Sequence, residues 1–468
     1  MIKTKIVCTI GPASEDRDVL KNIILSGMTA ARINFSHGSH EEHLPKIKLI
    51  KELRSELDKP VPLILDTKGP EIRTGMMKDG NVILKRGSRV IITTEDKECT
   101  EEVISVSHKD LALDLKVGNK ILIDDGLIEL DVIDIVGNDI ECIVLNEGEL
   151  GSRKGVNLPD VKVSLPAITE KDIEDIKFGI EQEFDYIAAS FIRTAEDVKQ
   201  IKHILKENGG EYIKIISKIE NREGVDNLDS ILEISDGLMV ARGDLGVEIP
   251  TEEVPVVQKM MIRKANEVGK PVITATQMLD SMIRNPRPTR AEATDVANAI
   301  FDGTDAVMLS GETAKGDYPI QAVKTMAAIA RKAETTELHL SKCDIAHKIN
   351  ITHAIGKAAT KAASDLNAKA ILTVTKSGTT SRIISKYRPA CPIVAFTNDE
   401  HVCRQLNLVW GCRPNLIEID EAFEEFFEKA VDRSKHLGLI ADEDLIVLTA
   451  GVPLATEGTT NLMEIKKV

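Results

Sequence analysis

Residues 214–224, KIISKIENREG, begin like a buried strand and end in charge. Their first half is mostly apolar, which is typical of a strand in a parallel sheet that is covered on both faces. Lys218 and Glu220 stand two positions apart where this run ends. Side chains two apart on a strand point the same way. We therefore expect an ammonium and a carboxylate to lie side by side at the end of a parallel strand.

Seven further apolar runs recur along the chain, and helical patterns follow them. One helix start is marked by Thr289 and Glu292, which form a Thr-x-x-Glu capping box. Eight strands that alternate with helices predict a (β/α)8 TIM barrel, a fold of the α/β class. The seven runs are KIVCTI (5–10), AARINF (30–35), PLILDT (62–67), DYIAASF (185–191), GLMVARG (237–243), PVITATQ (271–277) and DAVMLSG (305–311).

Two regions lie outside the barrel, which we assign to residues 1–69 and 166–336. Residues 70–165 carry short β-branched runs separated by Gly, Asp and Asn turns, and they predict a small all-β domain, a β-barrel, inserted into a barrel loop. Residues 337–468 combine amphipathic helices with five short apolar runs. They predict a third domain, an open α/β sheet of about five strands.

The composition bears on partners and location. The 60 basic and 75 acidic residues give a formal net charge of −15, which should repel nucleic acid and anionic membranes. Aromatic residues make up only 3%, which disfavours a base-stacking surface. No apolar run is long enough to cross a membrane. Seven scattered cysteines without a Cys-x-x-Cys pair, and a start without a signal-peptide layout, predict a cytoplasmic protein.

Charged and polar residues cluster where the predicted barrel strands end. In a barrel of this type the active site lies at the carboxyl ends of the strands. Single acids at such positions are commonly helix caps or ion-pair partners, but a ring of buried charges is hard to explain by packing. The residues are Arg32, Asn34, Ser36 and His37; Asp66, Thr67, Lys68, Glu71 and Arg73; Lys218 and Glu220; Arg242, Gly243 and Asp244; Thr276 and Gln277; and Ser310 and Glu312.

This ring contains the side chains that metal and phosphate binding require. Glu220 and Asp244 suit a hard divalent ion such as Mg²⁺, which takes few protein ligands and completes its shell with substrate oxygens. Arg32, Arg73 and Lys218 could neutralise a phosphate or a carboxylate. The stretches RINFS and LDT offer neutral oxygens around one aspartate, as a monovalent cation would need. Lys218 could stabilise developing negative charge beside the metal.

Several motifs resemble the pyruvate kinase family, in the family's order and over essentially all 468 residues. The resemblance, to members without an additional C-terminal domain, implies phosphoryl transfer from phosphoenolpyruvate to ADP, giving pyruvate and ATP in the last step of glycolysis. It also implies a homotetramer and an inserted domain that acts as a lid. The motifs are IISKIENREGV, NFSHG, LDTKGPEIRTG, GLMVARGDLGVE, ATQMLDSM with PRPTRAE, and VMLSGETAKGDYP.

The resemblance also implies a role for individual residues. Glu220 and Asp244 would hold Mg²⁺, Lys218 would stabilise the phosphoryl group in transfer, and Arg32 would contact the substrate. Gly243, Asp244 and Thr276 would hold the substrate carboxylate, with Thr276 near the site of enolate protonation. The implied K⁺ site is Asn34, Ser36, Asp66 and Thr67, and the implied nucleotide contacts are Arg73, Lys154, Asn34 and His37.

In this family the third domain carries an effector site. Residues 373–382, TVTKSGTTSR, predict a strand, a Ser/Thr/Gly loop and a helix start that could bind a phosphate. An ordinary capped turn is the alternative. Glu457 disfavours a sugar bisphosphate relative to a sugar monophosphate or AMP. The implied effector residues are Thr375, Lys376, Ser377, Gly378, Thr379 and Thr380.

Two other positions bear on the resemblance. Many relatives carry Lys where this chain has Thr194, which affects one nucleotide contact. Glu71 predicts K⁺ dependence, since a Lys at that position accompanies K⁺ independence in the family.

Two alternative functions stay open at this point. One is a Mg²⁺-dependent barrel lyase that cleaves a C–C bond of an enolpyruvate, and the other is an inactive sensor of phosphorylated metabolites.

Overall fold

The structure is a computed structural model and describes residues 2–78, 80–336, 350–418, 423–451 and 460–468. Strands are numbered along the chain. The barrel begins with β1 (Lys5–Thr9), β2 (Ala30–Asn34) and β3 (Leu63–Asp66). The inserted strands are β4 (Ile72–Arg73), β5 (Asn81–Leu84), β6 (Arg89–Thr93), β7 (Val103–Ser105), β8 (Lys120–Ile123), β9 (Ile128–Val136), β10 (Asp139–Val144), β11 (Gly148–Gly151) and β12 (Gly155–Asn157). The barrel resumes with β13 (Tyr186–Ala189), β14 (Lys214–Ile219), β15 (Gly237–Ala241), β16 (Val272–Ala275) and β17 (Ala306–Leu309).

The eight barrel strands close in the order β1-β17-β16-β15-β14-β13-β3-β2, with every pair parallel. The predicted TIM barrel is therefore confirmed, and each quoted run supplies one strand. The strands are buried almost throughout because helices cover the outside and side chains such as Val7, Ile64 and Ile216 fill the inside. Register sets Asn34 of β2 beside Asp66 of β3, at their carboxyl ends.

Helices cover the barrel, and the predicted capping box is present, since Thr289 and Glu292 bond reciprocally. The first helices are α1 (Arg17–Ser26), α2 (His40–Glu56), α3 (Leu111–Asp114), α4 (Glu170–Glu181), α5 (Ala195–Glu207), α6 (Arg222–Asp226), α7 (Leu228–Ile234), α8 (Arg242–Glu248) and α9 (Val254–Val268). A 3₁₀ helix (Asp280–Ile283) precedes α10 (Arg290–Phe301), α11 (Gly311–Ala314) and α12 (Pro319–Ala333). In the described part of the chain, no helix is both long and apolar enough to cross a membrane.

The inserted region forms a mixed sheet with its own core. Seven strands run in the order β4-β12-β8-β9-β10-β6-β7, and β11 pairs with β5 as a separate ribbon. The two edge strands meet, because the Ser107 amide donates to the Arg73 carbonyl at 2.9 Å and a bridge joins Thr74 to Val106. The predicted barrel-like insertion is present, although the short helix α3 interrupts its strands and was not anticipated.

The C-terminal part is an open sheet with helices, as predicted. Its strands are β18 (Ala370–Val374), β19 (Ile393–Thr397), β20 (Cys412–Leu416), β21 (Leu445–Ala450) and β22 (Leu462–Lys467), in the order β20-β19-β18-β21-β22. Only the edge strand β22 is antiparallel to its neighbour. The accompanying helices are α13 (Ile351–Asp365), α14 (Thr379–Lys386), α15 (Glu400–Leu406) and α16 (Phe423–His436).

A buried ion pair joins this sheet region to the base of the barrel. Asp185, directly before β13, accepts a hydrogen bond from Arg404 Nε of α15 at 2.7 Å, and its other oxygen accepts the Leu63 amide at 2.9 Å. Beside it, the Tyr186 hydroxyl donates to the Gln405 carbonyl at 2.8 Å. Asp185 is fully buried, so its charge depends on these partners.

We expect Asp185→Ala to lower the free energy of unfolding by about 3–5 kcal/mol, because it leaves the buried Arg404 guanidinium without its main carboxylate. Urea unfolding followed by circular dichroism measures this change. The control is Glu52→Ala, which removes an exposed ion pair to Arg17 and should barely move the midpoint. Equal midpoints for the two variants would contradict a stabilising role for Asp185.

Candidate active site

Four charged side chains meet at the carboxyl ends of the barrel strands. The Asp66 carboxylate lies between two cations, with Arg32 Nε 2.6 Å from one oxygen and Lys218 Nζ 3.0 Å from the other. Glu220 comes directly after β14, the strand that carries Lys218, and its Oε1 lies 3.1 Å from Lys218 Nζ. The predicted pairing of Lys218 with Glu220 is therefore observed, and barrel closure adds Arg32 and Asp66 to it.

Within this cluster, Lys218 and Asp66 hold each other ionised. Burial lowers the pKa of Lys218, but the Asp66 and Glu220 carboxylates more than offset this effect and raise the pKa above its ordinary value. Burial would raise the pKa of Asp66, yet the Arg32 guanidinium and the Lys218 ammonium keep it below its ordinary value. Both ions of this central pair are therefore charged at neutral pH.

Glu220 is the least satisfied member of the cluster. Its Oε2 accepts the Phe191 amide at 2.6 Å, whereas the buried Oε1 has no partner with hydrogen-bond geometry, despite its proximity to Lys218. Burial raises the pKa of Glu220 to about 7; the Lys218 charge opposes this shift, and Asp244 adds to it. A buried carboxylate with one free oxygen, close to a second carboxylate, suits a bound cation.

The loops after β15 and β16 meet beside this cluster. The Gly243 amide, at the start of α8, donates to Thr276 Oγ1 at 2.7 Å, and the Thr276 hydroxyl donates to the Ala275 carbonyl at 2.6 Å. Arg242 fixes the arrangement by donating to the Thr276 carbonyl at 2.7 Å. Thr276 has φ of 67° and Gln277 has φ of 55°, a left-handed conformation that non-glycine residues adopt at a cost.

A cleft of about 450 Å³ lies between the inserted region and the barrel. Its walls carry several charged side chains that pair across short distances. Arg73 lies 2.7 Å from Glu71, and Lys154 lies 2.9 Å from Asp124. The charged residues lining the cleft include Glu71, Arg73, Asp124, Asp125, Lys154, Arg193, Arg222, Asp244 and Glu248. This cleft brings together Arg73, Lys154 and Asp244 of the predicted site.

The remaining predicted barrel residues lie at adjacent strand ends. Asn34 Oδ1 accepts the Ser36 amide at 3.1 Å, and Asn34 stands beside Asp66 in the strand register. Thr67 is buried next to Asp66. His37 is exposed, and neither it nor Asn34 is among the described residues that line the cleft. The structure therefore groups Asn34 and Ser36 with Asp66 and Thr67.

Thr194 has a structural task in this chain. Its hydroxyl caps α5 by bonding Asp197, whose carboxylate accepts the Thr194 amide at 3.0 Å. The neighbouring Arg193 donates to the Val163 and Leu165 carbonyls at 2.7 Å each, which ties the returning chain of the inserted region to the barrel. Thr194 is therefore the N-cap residue of α5.

The predicted effector loop lies in the C-terminal sheet, away from the barrel cluster. Gly378 has φ of 80° and precedes α14, so a side chain at this position would be strained. Ser377 and Thr379 hydroxyls lie 3.0 Å apart, and Thr380 bonds Thr460 at 2.7 Å. Thr375 and Thr380 are buried. Glu457 lies outside the described residues.

The sequence reading missed several residues that contact the site. Ser190 follows β13 and contacts Lys218 and Thr67. Asp124 and Asp125 come from the β8–β9 turn of the inserted region, and burial together with Asp244 raises the pKa of Asp125. Ser190 could have been predicted, because it is the next-to-last residue of the quoted run DYIAASF and polar residues at strand ends were the signal used for the other site residues. Asp124 and Asp125 could not be predicted in this way, because they do not end a barrel strand and other turns of the inserted region also contain acidic residues.

Fold and site together define a (β/α)8-barrel enzyme whose strand ends carry a buried cluster of two cations and two carboxylates close to a cleft lined by charged residues. Among the described residues, no group of three or more His, Cys, Asp or Glu side chains is placed to hold a metal ion.

Comparison with known proteins identifies the family. Residues 1–323 match the pyruvate kinase barrel domain, and residues 353–466 match the pyruvate kinase alpha/beta domain. The pyruvate kinase of Staphylococcus haemolyticus is 54% identical over 473 residues, covering 100% of this chain and 81% of its own length. That of Clostridium acetobutylicum is 52% identical over 477 residues, covering 100% of both chains. The chain belongs to the pyruvate kinase family.

A solved structure agrees with this assignment. The crystal structure of a pyruvate kinase from Cryptosporidium parvum superposes with a TM-score of 0.95 at 43% identity, covering 100% of this chain and 96% of the other. The resemblance found in the motifs is confirmed, and the activity is that of a glycolytic phosphotransferase.

The raised pKa of Glu220 predicts a pH effect on stability. Between about pH 4.5 and pH 7 the folded protein keeps a proton on Glu220 that the unfolded chain loses, so the stabilisation from this proton falls as pH rises through that window. We expect the stability of the metal-free wild type, relative to Glu220→Gln, to fall from pH 5 to pH 7.5. Urea unfolding at each pH measures the difference. Two parallel pH curves would contradict the raised pKa.

Proposed function

We propose that the four-charge cluster of Arg32, Asp66, Lys218 and Glu220 is where the phosphoryl group of phosphoenolpyruvate is transferred to ADP, giving pyruvate and ATP. The observation that carries this proposal is the cluster itself, which buries two cations at the strand ends beside a cleft of nucleotide size. Phosphoryl transfer needs charge neutralisation and positioning more than covalent help. The cluster offers both.

The two cations have different tasks in this proposal. Arg32 is held by Asp66 and by Thr9 Oγ1 at 2.9 Å, so its remaining N–H groups can bind substrate oxygens. Lys218 is catalytic, because its ammonium lies where negative charge grows on the phosphoryl group in transfer. Its raised pKa keeps it charged throughout. Charge held in a dry, preorganised site stabilises the transition state more than charge in water does.

Glu220 and Asp244 would hold Mg²⁺. They fit this ion, since Glu220 Oε1 is buried without a hydrogen-bond partner and Asp244 lies close enough to raise the pKa of Glu220. Bound there, a divalent ion neutralises charge on phosphoryl and enolate oxygens.

The substrate carboxylate would lie at the start of α8, on the Gly243 and Asp244 backbone and the Thr276 hydroxyl. In the structure the Gly243 amide donates to Thr276 Oγ1 and the Thr276 hydroxyl donates to the Ala275 carbonyl, so a bound carboxylate would replace these two bonds. The strained backbone at Thr276 is consistent with a functional position. Thr276 lies where the enolate receives its proton, directly or through water.

Asn34, Ser36, Asp66 and Thr67 would hold K⁺. The set fits a monovalent cation because it offers neutral oxygens around a single carboxylate, Asp66, which also pairs with Arg32 and Lys218. Bound there, K⁺ adds positive charge beside an anionic substrate.

ADP would occupy the cleft, with Arg73 and Lys154 as nucleotide contacts, and Asn34 and His37 would contact the part of the nucleotide that extends beyond the cleft. Arg73 and Lys154 pair with Glu71 and Asp124 in the structure, so nucleotide phosphates would replace these carboxylates. The inserted domain, residues 70–165, serves as a lid that excludes water from the phosphoryl group. The barrel domain comprises residues 1–69 and 166–336, and the effector domain comprises residues 337–468.

Regulation and assembly complete the proposal. A phosphorylated allosteric effector binds the Gly378 loop, comprising Thr375, Lys376, Ser377, Gly378, Thr379 and Thr380, where the amides of α14 begin. The protein acts in the cytoplasm as a homotetramer.

Family membership disfavours the two alternative functions. A lyase needs no nucleotide cleft, and an inactive sensor need not keep Lys218.

We expect Lys218→Met to lower kcat by at least 10³-fold with a small change in KM for phosphoenolpyruvate, because it removes charge that acts in the transition state. ATP formation from phosphoenolpyruvate and ADP is the assay. The matched control is Lys270→Met, whose ammonium contacts only the Leu232 and Glu233 carbonyls at 2.7 and 3.0 Å, away from the cluster. A loss confined to KM would reject the role of Lys218.

Glu71 yields a prediction on K⁺. The wild type should lose most activity when tetramethylammonium replaces K⁺ and Na⁺ at saturating Mg²⁺. Glu71→Lys should retain activity there, at a reduced rate, because a tethered ammonium stands in for the ion imperfectly and Arg73 loses its carboxylate partner. Full wild-type activity without K⁺ would end the hypothesis, whatever the variant does.

A further inference from the structure

Ser190 connects two strand ends of the cluster. It is buried directly after β13, and it bonds Thr67 twice: the Ser190 amide donates to Thr67 Oγ1 at 3.1 Å, and the Ser190 hydroxyl donates to the Thr67 carbonyl at 2.6 Å. A serine hydroxyl has one proton and two acceptor lone pairs. The Thr67 carbonyl is the nearer acceptor for this proton, since Asp66 Oδ1 lies 3.5 Å from the hydroxyl, and with the proton on either acceptor the lone pairs of Ser190 remain to accept.

Those lone pairs face Lys218. Its Nζ donates to Ser190 Oγ at 2.7 Å and to Asp66 Oδ1 at 3.0 Å. An ammonium has three N–H bonds, and the third neighbour, Glu220 Oε1, lies 3.1 Å away without hydrogen-bond geometry. Two well-formed bonds therefore orient the ammonium, and its third N–H is free to turn to a substrate oxygen.

The hydroxyl has an advantage over a carboxylate at this place. The cluster already contains Asp66 and Glu220, and a third acid beside Lys218 would cancel the positive charge that the reaction uses. A neutral acceptor orients the ammonium and leaves its charge for the phosphoryl group.

We propose that Ser190 is a positioning residue for the phosphoryl transfer, acting by holding the Lys218 ammonium in its productive orientation. The proposal rests on the proposed role of Lys218. It differs from a packing role, because a serine that only filled space would be replaced by alanine with little kinetic effect.

The test compares Ser190→Ala with Ser217→Ala in the phosphoenolpyruvate–ADP assay. Ser217 is a matched control: it is equally buried, lies next to Lys218 on β14, and bonds Ser235 at 2.6 Å instead of the cluster. We expect Ser190→Ala to lower kcat about 10- to 100-fold, the range for losing one hydrogen bond to a charged group. KM for phosphoenolpyruvate should stay within about 3-fold, and Ser217→Ala should keep the wild-type kcat.

A double-mutant cycle separates action through Lys218 from any other effect. Adding Ser190→Ala to Lys218→Met should lower the residual turnover by less than about 3-fold, because the group that Ser190 positions is already gone. Equal losses in both backgrounds would overturn the proposal. So would near-wild-type kcat for Ser190→Ala, or a melting temperature more than about 10 °C below that of Ser217→Ala, which would make the hydroxyl a requirement of the fold.

Failure of the proposed function looks different. A wild type without phosphoenolpyruvate–ADP activity, or Lys218→Met with wild-type kcat, would refute the assignment of the cluster and remove the basis for Ser190. An active wild type and an impaired Lys218→Met, together with an unaffected Ser190→Ala, would refute the Ser190 proposal alone.

Discussion

The Asp66 carboxylate is the group on which the active site depends. It ends β3, and the barrel order sets β2 on one side and β13 on the other. Its two oxygens face Arg32 and Lys218, so it cancels a repulsion that would otherwise make two buried cations prohibitively costly. One carboxylate therefore allows two buried cations to stand side by side at the strand ends, where we propose that the phosphoryl group is transferred. Glu220, with a free oxygen and a raised pKa, is the complementary half of the same arrangement.

Local sequence patterns were sufficient to predict much of the fold and part of the site. The eight apolar runs correspond to the eight barrel strands. A strand that is buried on both faces is apolar along its whole length, so each strand can be recognised without knowing its neighbours. Lys218 and Glu220 could be paired from the period of two along a strand. The capping box at Thr289 and Glu292 could be predicted because both partners lie within one helical turn.

Contacts that depend on which strands become neighbours could not be predicted in this way. Lys218 and Asp66 are 152 positions apart, and their contact follows only once the barrel has closed. The same holds for Ser190 on Lys218, and for the edge contact of Ser107 with Arg73 that closes the inserted sheet. The ion pair of Arg404 with Asp185 could not be predicted either. The two residues are distant in the sequence, and they meet only because α15 packs against the barrel.

The Asp185–Arg404 ion pair lies at the opposite end of two barrel strands from the charged cluster. Asp185 holds α15 at the base of the barrel and bonds the amide of Leu63, the first residue of β3, while Asp66 is the last. The next strand has the same plan, with Asp185 just before it and Ser190 just after it. Each strand is four residues long, or about 13 Å. The Asp185–Arg404 ion pair is thus only one short strand away from Asp66 and from Ser190, the two groups that bond Lys218.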